Sequence, residues 1–367
     1  MDHKESFRFS FVPRISIAFL IFGILALILH PLCALIPSLA DAVAESVGAL
    51  LRAALGYLSA LIPFSLAELL LVLSPVWITL AVLLVRHAVK KRGLSVKRVI
   101  ALFLSFIPLI YGLFVFTLGV GYLTTPLPAR MSLDAEEEVT AQELYETALK
   151  LMREAERYLP EVSFDENGES VMPFSHREMN RALVRAYRTL KADYPFISSF
   201  AVGTKQVALS RSMAYTGITG VYSFFTGEAN LNVSYPDYAN AFTAAHEMAH
   251  ARGIARENEA NFVAFLATVA SDEAYLRYAG YTNLLQYVLN ALYRSDRTLY
   301  KEAYRALPEE IQGEYIAYNR YLAEISGHPV RDLAESINNA YLEGVGTEGT
   351  ASYGLVVRIA VAYMKQA

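Results

Sequence analysis

Three stretches of this 367-residue chain, 15–40, 69–85 and 99–123, contain no Asp, Glu, Lys or Arg. Each is long enough to cross a bilayer as a helix, which takes about 20 apolar residues. Together they predict three transmembrane helices at about 15–37, 65–85 and 99–123. They also account for an overall composition that is 54% hydrophobic. A buried soluble helix explains one such run poorly and three hardly at all. Arg86, Lys90, Lys91, Arg92, Lys97 and Arg98 crowd the short connection after the second run, and Lys4, Arg8 and Arg14 precede the first. Short basic segments stay in the cytoplasm. Both clusters therefore predict an internal N-terminus, an internal loop at 86–98, and everything beyond about Thr124 outside the cytoplasmic membrane. The basic start, apolar centre and Ser38-Leu39-Ala40 of the first run also match a cleavable signal peptide, which would leave the domain on the same side.

Residues 41–62 differ from these runs. Val43, Val47, Leu50, Leu51, Ala54, Leu55, Leu58 and Leu61 recur at helical spacing. That pattern predicts an amphipathic helix, interfacial or packed on the spans. Residues 1–123 thus read as a membrane domain and the acidic tract 124–140 as a linker. Residues 141–367 read as one external domain, large enough for its own core. Its texture is mainly helical with a small sheet between Val202 and Val233, an α+β fold. Cys33, inside the first run, is the single cysteine, so this domain has no disulfide and no thiol nucleophile. The net charge of −4 and the lack of a basic patch away from the membrane flanks argue against nucleic acid as a partner. Nothing in the sequence reports oligomeric state.

The chemistry sits at His246-Glu247-Met248-Ala249-His250, an HExxH motif. On a helix the two histidines stand one turn apart on one face and can share a metal ion, with Glu247 beside them as base. Pro236 and Asp237 suit the helix's first turn, and Gly253 suits a left-handed stop after it. Two histidines leave a catalytic zinc one protein ligand short. Glu257 and Glu259 follow, about 200° apart around a helix, so only one can face the metal. Glu257 is favoured because Asn261 lies one turn further on the same face, where its amide could steady a ligand; Glu259 is the alternative. A strand over Ala229, Asn230, Leu231 and Asn232 runs towards the motif helix and is a candidate edge for pairing with an extended substrate. A peptidase also needs an oxyanion donor, for which Tyr215, His328 and Tyr353 are the candidates.

Glu257-x-x-Ala260-Asn261 resembles the E-x-x-A-[DN] element of gluzincin peptidases, although the spacing from the HExxH is short. His250-x-x-Gly253 resembles metzincins, but Arg256 stands where their third histidine falls. A fuller resemblance runs through Ser212-Met213-Ala214-Tyr215-Thr216-Gly217-Ile218-Thr219-Gly220, then Phe225 to Val233, the HExxH block, and the stretch from Ala340 to Gly354. On these residues the chain is similar to an uncharacterised bacterial membrane family, domain of unknown function 3810, which is read as a family of HExxH zinc peptidases. The resemblance implies a zincin-like external domain and a peptide or protein substrate of unspecified sequence. The expectation is a membrane-anchored zinc peptidase with one zinc per chain on His246, His250 and Glu257, and Glu247 as base. The alternatives are a metal-binding sensor or scaffold without turnover, and a zinc amidase acting on cell-wall material. An intramembrane protease would carry its motif within a span, and here it lies outside all three runs.

Overall fold

The computed structural model describes residues 14–92, 96–135, 138–345 and 353–366. The fold is mainly helical with two small sheets. Two helices, Arg14–Leu35 and Val96–Thr117, are long and apolar enough to cross a membrane. They pack on each other through small residues: Gly23 lies against Pro108 and Gly112 against the Phe22 ring. Ser105 donates to Ser16 at 3.1 Å between them. Close approach through glycine is how helices associate where lipid removes any hydrophobic preference.

The expected span at 65–85 is not one straight helix. Leu66–Val72 and Ser74–His87 meet at a 68° bend, so they form either a broken span or a re-entrant loop. Two causes are local. Leu73 leaves helical geometry at φ −89°, ψ 9°, and Pro75 in the next first turn has no N–H to continue the ladder. The third is a tether: the Glu68 carboxylate accepts from Ala208 N and Leu209 N, both at 2.8 Å, holding the short helix against the sheet region. The last run also stops early. Its helix ends at Thr117, and Gly119–Tyr122 is a 3₁₀ turn.

The amphipathic stretch is helical as expected, as Pro37–Val43, a π turn over Ala44–Gly48 and Ala49–Ala60. It is packed inward at Arg52, which is 3% exposed and donates to the carbonyls of Ala44 and Thr117. Residues 124–130 do not behave as a free linker. Leu127 is fully buried in the same core as the HExxH helix, and Thr125 donates twice to Asp41. Glu136 and Glu137 of the acidic tract lie outside the described residues.

Helices Ala141–Glu156 and His176–Asp193 both open with capping boxes, Thr140 with Glu143 and Ser175 with Glu178. They surround a core formed by Asp237–Ala251, Glu257–Val269, Ala274–Ser295 and Tyr353–Gln366. Many of the tyrosines at 275–321 serve this packing: Tyr275, Tyr278 and Tyr315 are all at most 4% exposed. A hairpin of β1 (Ser163–Phe164) and β2 (Ser170–Val171) is separate from the main sheet of β3 (Thr204–Gln206), β4 (Gly220–Ser223) and β5 (Glu228–Leu231). The order is β3-β5-β4, with β3 parallel and β4 antiparallel to β5.

This order corrects one expectation. The strand carrying Ala229, Asn230 and Leu231 is central and buried throughout, and Asn232 just beyond it is fully buried. It cannot offer an edge, because β3 and β4 take both of its sides. The edge near the motif helix is β4.

Glu228 at the start of β5 joins the sheet to the start of the helix Leu66–Val72. Its side chain is 0% exposed, is paired with Lys205, and accepts from the N–H groups of Leu66 and Ala67. Removing one partner of a buried pair strands the other charge at a cost of about 3–5 kcal/mol. Glu228→Ala should therefore lower stability by about 3 kcal/mol or more, read as a fall in the thermal unfolding midpoint of the detergent-solubilised chain. An unchanged midpoint would contradict the tether.

Candidate metal centre

The HExxH helix ends as Gly253 suggests, at φ +102°. The Ile254 N–H bonds the Ala249 carbonyl at 3.1 Å and the Gly253 N–H bonds that of His250 at 3.0 Å. This is a Schellman turn, which needs a left-handed residue where Gly253 stands. The turn has a chemical consequence. It brings the Ile254 carbonyl to 2.8 Å from His250 Nδ1. A carbonyl only accepts, so Nδ1 carries the proton and, in the neutral ring, Nε2 presents its lone pair. The chain then reverses, and Glu257 opens the next helix facing the two histidines.

His246 Nε2 and His250 Nε2 stand 3.0 Å apart, and Glu257 places a carboxylate oxygen 3.2 Å from the first and another 3.5 Å from the second. A tetrahedral zinc with bonds of about 2.0–2.1 Å requires donor atoms about 3.3 Å apart. The two histidines and the Glu257 carboxylate, which meets each ring through a different oxygen, lie close to that spacing, and among the described residues they are the group of His, Cys, Asp and Glu that could hold a metal ion. Two ring nitrogens facing each other require a shared proton or a cation between them. His246 Nδ1 and Glu247 Oε2 are buried without partners. The residues present fit a zinc ion.

The electrostatics follow from burial and crowding. Burial pushes the Glu247 carboxyl up to about 7, against the pull of both histidines. Burial also opposes charging of His250, but the Glu257 carboxylate outweighs it and lifts the imidazole to about 9. Glu257 itself resists its own burial through the two histidines and is held well below the usual carboxylate range.

Glu259 faces away from this cluster, as its helical phase requires, but it is far from idle. It is 4% exposed, pairs with Arg256 at 3.0 Å and accepts from Leu127 N at 2.9 Å. Arg256 in turn donates to the carbonyls of Tyr122 and Thr124 at 2.8 and 2.7 Å. Asn261 lies on the cleft wall one turn beyond Glu257, where its carbonyl accepts from the Tyr287 hydroxyl at 3.3 Å. It braces the wall and bonds neither histidine.

The oxyanion candidates fare differently. Tyr215 and His328 pack ring against ring at 5.1 Å, and neither lines the cleft; His328 instead caps the helix Pro329–Gly344. Tyr353 opens the last helix, and its side chain lies outside the described residues. Three features were not anticipated from sequence. Gly220 of β4 abuts Glu247: a Cβ there would stand 2.6 Å from its Oε1. Tyr122 and Tyr341 share a hydrogen bond of 3.2 Å close enough to Glu257 for its charge to raise both phenols further above their burial-shifted values. Arg331 lines the same cavity of about 400 Å³ as His246, Glu257 and Asn261. Its position 74 residues beyond Glu257 gives no local signal.

The Arg256–Glu259 pair generates a prediction. Glu259→Gln leaves the Arg256 guanidinium without its counter-charge beside the Gly253 turn and should cost about 1–3 kcal/mol, seen as a lower unfolding midpoint. Metal stoichiometry should be retained. Loss of metal without loss of stability would show Glu259 to be the ligand.

No curated protein matches the chain, and no solved structure matches it. A family model described as protein of unknown function, DUF3810, matches residues 44–361. That span includes the HExxH helix, the Gly253 turn, Glu257 and the β4 edge, and by it the chain belongs to the DUF3810 family.

Proposed function

We propose that this protein is a membrane-anchored zinc peptidase with a zincin-like domain outside the cytoplasmic membrane. The observation that carries the reading is the convergence of His246 Nε2, His250 Nε2 and the Glu257 carboxylate within 3.0–3.5 Å of one another, with Glu247 buried beside them. When bound, zinc would polarise a carbonyl and acidify a water molecule. Glu247 accepts the proton of the attacking water and returns it to the leaving nitrogen. Its shift to about 7 suits both directions of transfer. The β4 edge lies against that carboxylate at Gly220, so an extended peptide could pair with the strand while its scissile bond sits at the centre. Side chains of Asn261, Gln286, Asn290 and Asn338 line the cleft and match the hydrogen-bonding needs of peptide groups. Arg86, Lys90, Lys97 and Arg98 support a cytoplasmic loop; with the bent pair Leu66–Val72 and Ser74–His87 taken as one broken span, the cleft lies on the opposite side.

The purified chain should bind one zinc. His246→Ala or His250→Ala should abolish binding. Glu247→Gln should keep the metal and lose hydrolysis of peptides by at least a hundredfold, the scale of acid–base catalysis. Chain repeatedly free of zinc after chelator-free purification would sink the proposal. Zinc needs a neutral imidazole. With His250 lifted to about 9, a proton must leave on loading at pH 7, and zinc affinity should weaken as pH falls. Calorimetry in two buffers of different ionisation enthalpy reads this directly; zero proton release would contradict it. A cytoplasm-specific reporter fused after Ala367 should be silent, and activity in intact cells would invert the topology.

A further inference from the structure

The cleft has a second chemical pole. Among its lining residues described, Arg331 is the single lysine or arginine, whereas Glu257 supplies negative charge at the metal end. The guanidinium rests against the Gly217 turn, where a Cβ would stand 3.5 Å from Nε. Glu335, one turn on, takes the Nε–H at 2.9 Å. That pair is exposed and worth about 0.5 kcal/mol at most, so it orients the side chain without quenching its appetite for an anion.

Tyr235 lines the cavity beside it. This tyrosine is 5% exposed, and its hydroxyl is buried with no hydrogen-bond partner. Its ring is fixed against Tyr321 at 4.9 Å and Tyr318 at 6.2 Å. It is near enough to Arg331 for the guanidinium charge to act on it. Leaving a buried hydroxyl unpaired costs about 1–3 kcal/mol, a cost that an acceptor arriving in the cleft would relieve. A planar cation with a spare phenolic donor is a carboxylate receptor.

We infer that Arg331 and Tyr235 form a carboxylate-binding subsite, which selects peptide substrates carrying a carboxylate either at the chain end or on an Asp or Glu side chain. The term substrate rests on the peptidase reading; the binding itself does not. A carboxylate held at the Arg331 end would fix the direction in which a peptide lies across the cleft.

The test uses the full-length, zinc-supplemented Glu247→Gln chain in detergent and fluorescent pentapeptide pools of uncharged, randomised sequence. The pools carry a free C-terminal carboxylate, a carboxamide end, or a carboxamide end with one internal Glu. Anisotropy should show at least tenfold tighter binding of one or both carboxylate pools over the plain carboxamide. Which pool is preferred identifies the source of the carboxylate. Arg331→Gln should erase the preference, Arg331→Lys should restore part of it, and Tyr235→Phe should weaken it severalfold. Equal affinity for all three pools, a preference that survives Arg331→Gln, or no binding of any pool would overturn the subsite. Wild-type hydrolysis separates the two readings. Cleavage without carboxylate preference removes the subsite and leaves the peptidase, whereas carboxylate preference with no cleavage of any pool removes the peptidase and leaves the subsite.

Discussion

The reversal at Gly253 is the constraint on which the candidate centre depends. Its positive φ ends one helix and starts the path to the next, and three consequences follow within four residues. The Ile254 carbonyl selects the His250 tautomer, Glu257 is carried back over the motif, and Arg256 is delivered to the far side of the turn. A side chain at Gly253 would meet left-handed strain and the Arg52 guanidinium as well, at 2.5 Å from its Cβ. A site built from a helix and a turn needs no long-range assembly, which is why so short a spacing still brings Glu257 to the two histidines.

That turn is held by the segment that follows the last long apolar helix. Arg256 grips the carbonyls of Tyr122 and Thr124, Glu259 takes Leu127 N, and Gly121 lies against Ala255 and the Gly253 carbonyl. These partners belong to the first residues after the helix Val96–Thr117. Glu68 and Glu228 make a matching junction between the bent helix pair and the sheet. The segment after the last apolar helix is therefore part of the wall behind the candidate centre, and a fragment beginning at the helix Ala141–Glu156 would lack it.

Much of this was legible in the residues, for identifiable reasons. The HExxH spacing, the helix stop at Gly253 and the 200° separation of Glu257 from Glu259 are local geometry, and local geometry is what a sequence states directly. Uncharged runs report apolar length but not straightness, so the break at Leu73 was invisible; it arises from Pro75 together with a carboxylate tether to Ala208 and Leu209. Strand order is non-local. Alternation and composition identified a sheet at Val202 to Val233 but could not tell that β5 lies between β3 and β4. Arg331, Tyr341 and Gly220 reach the site through tertiary packing alone, whereas Tyr215 and His328, chosen by residue type, pack on each other and do not line the cleft. Glu259 was legible as pointing away but not as buried, because its partners come from Arg256 and the distant Leu127.

The central claim is that His246, His250 and Glu257 form one metal-binding face. X-ray absorption at the zinc edge of the loaded full-length chain tests it most directly. The account predicts two imidazole nitrogens and oxygen donors at about 2.0–2.2 Å, no sulfur, and loss of the bound-zinc signal in His250→Ala. A spectrum showing sulfur ligation, or one that His250→Ala leaves unchanged, would contradict it.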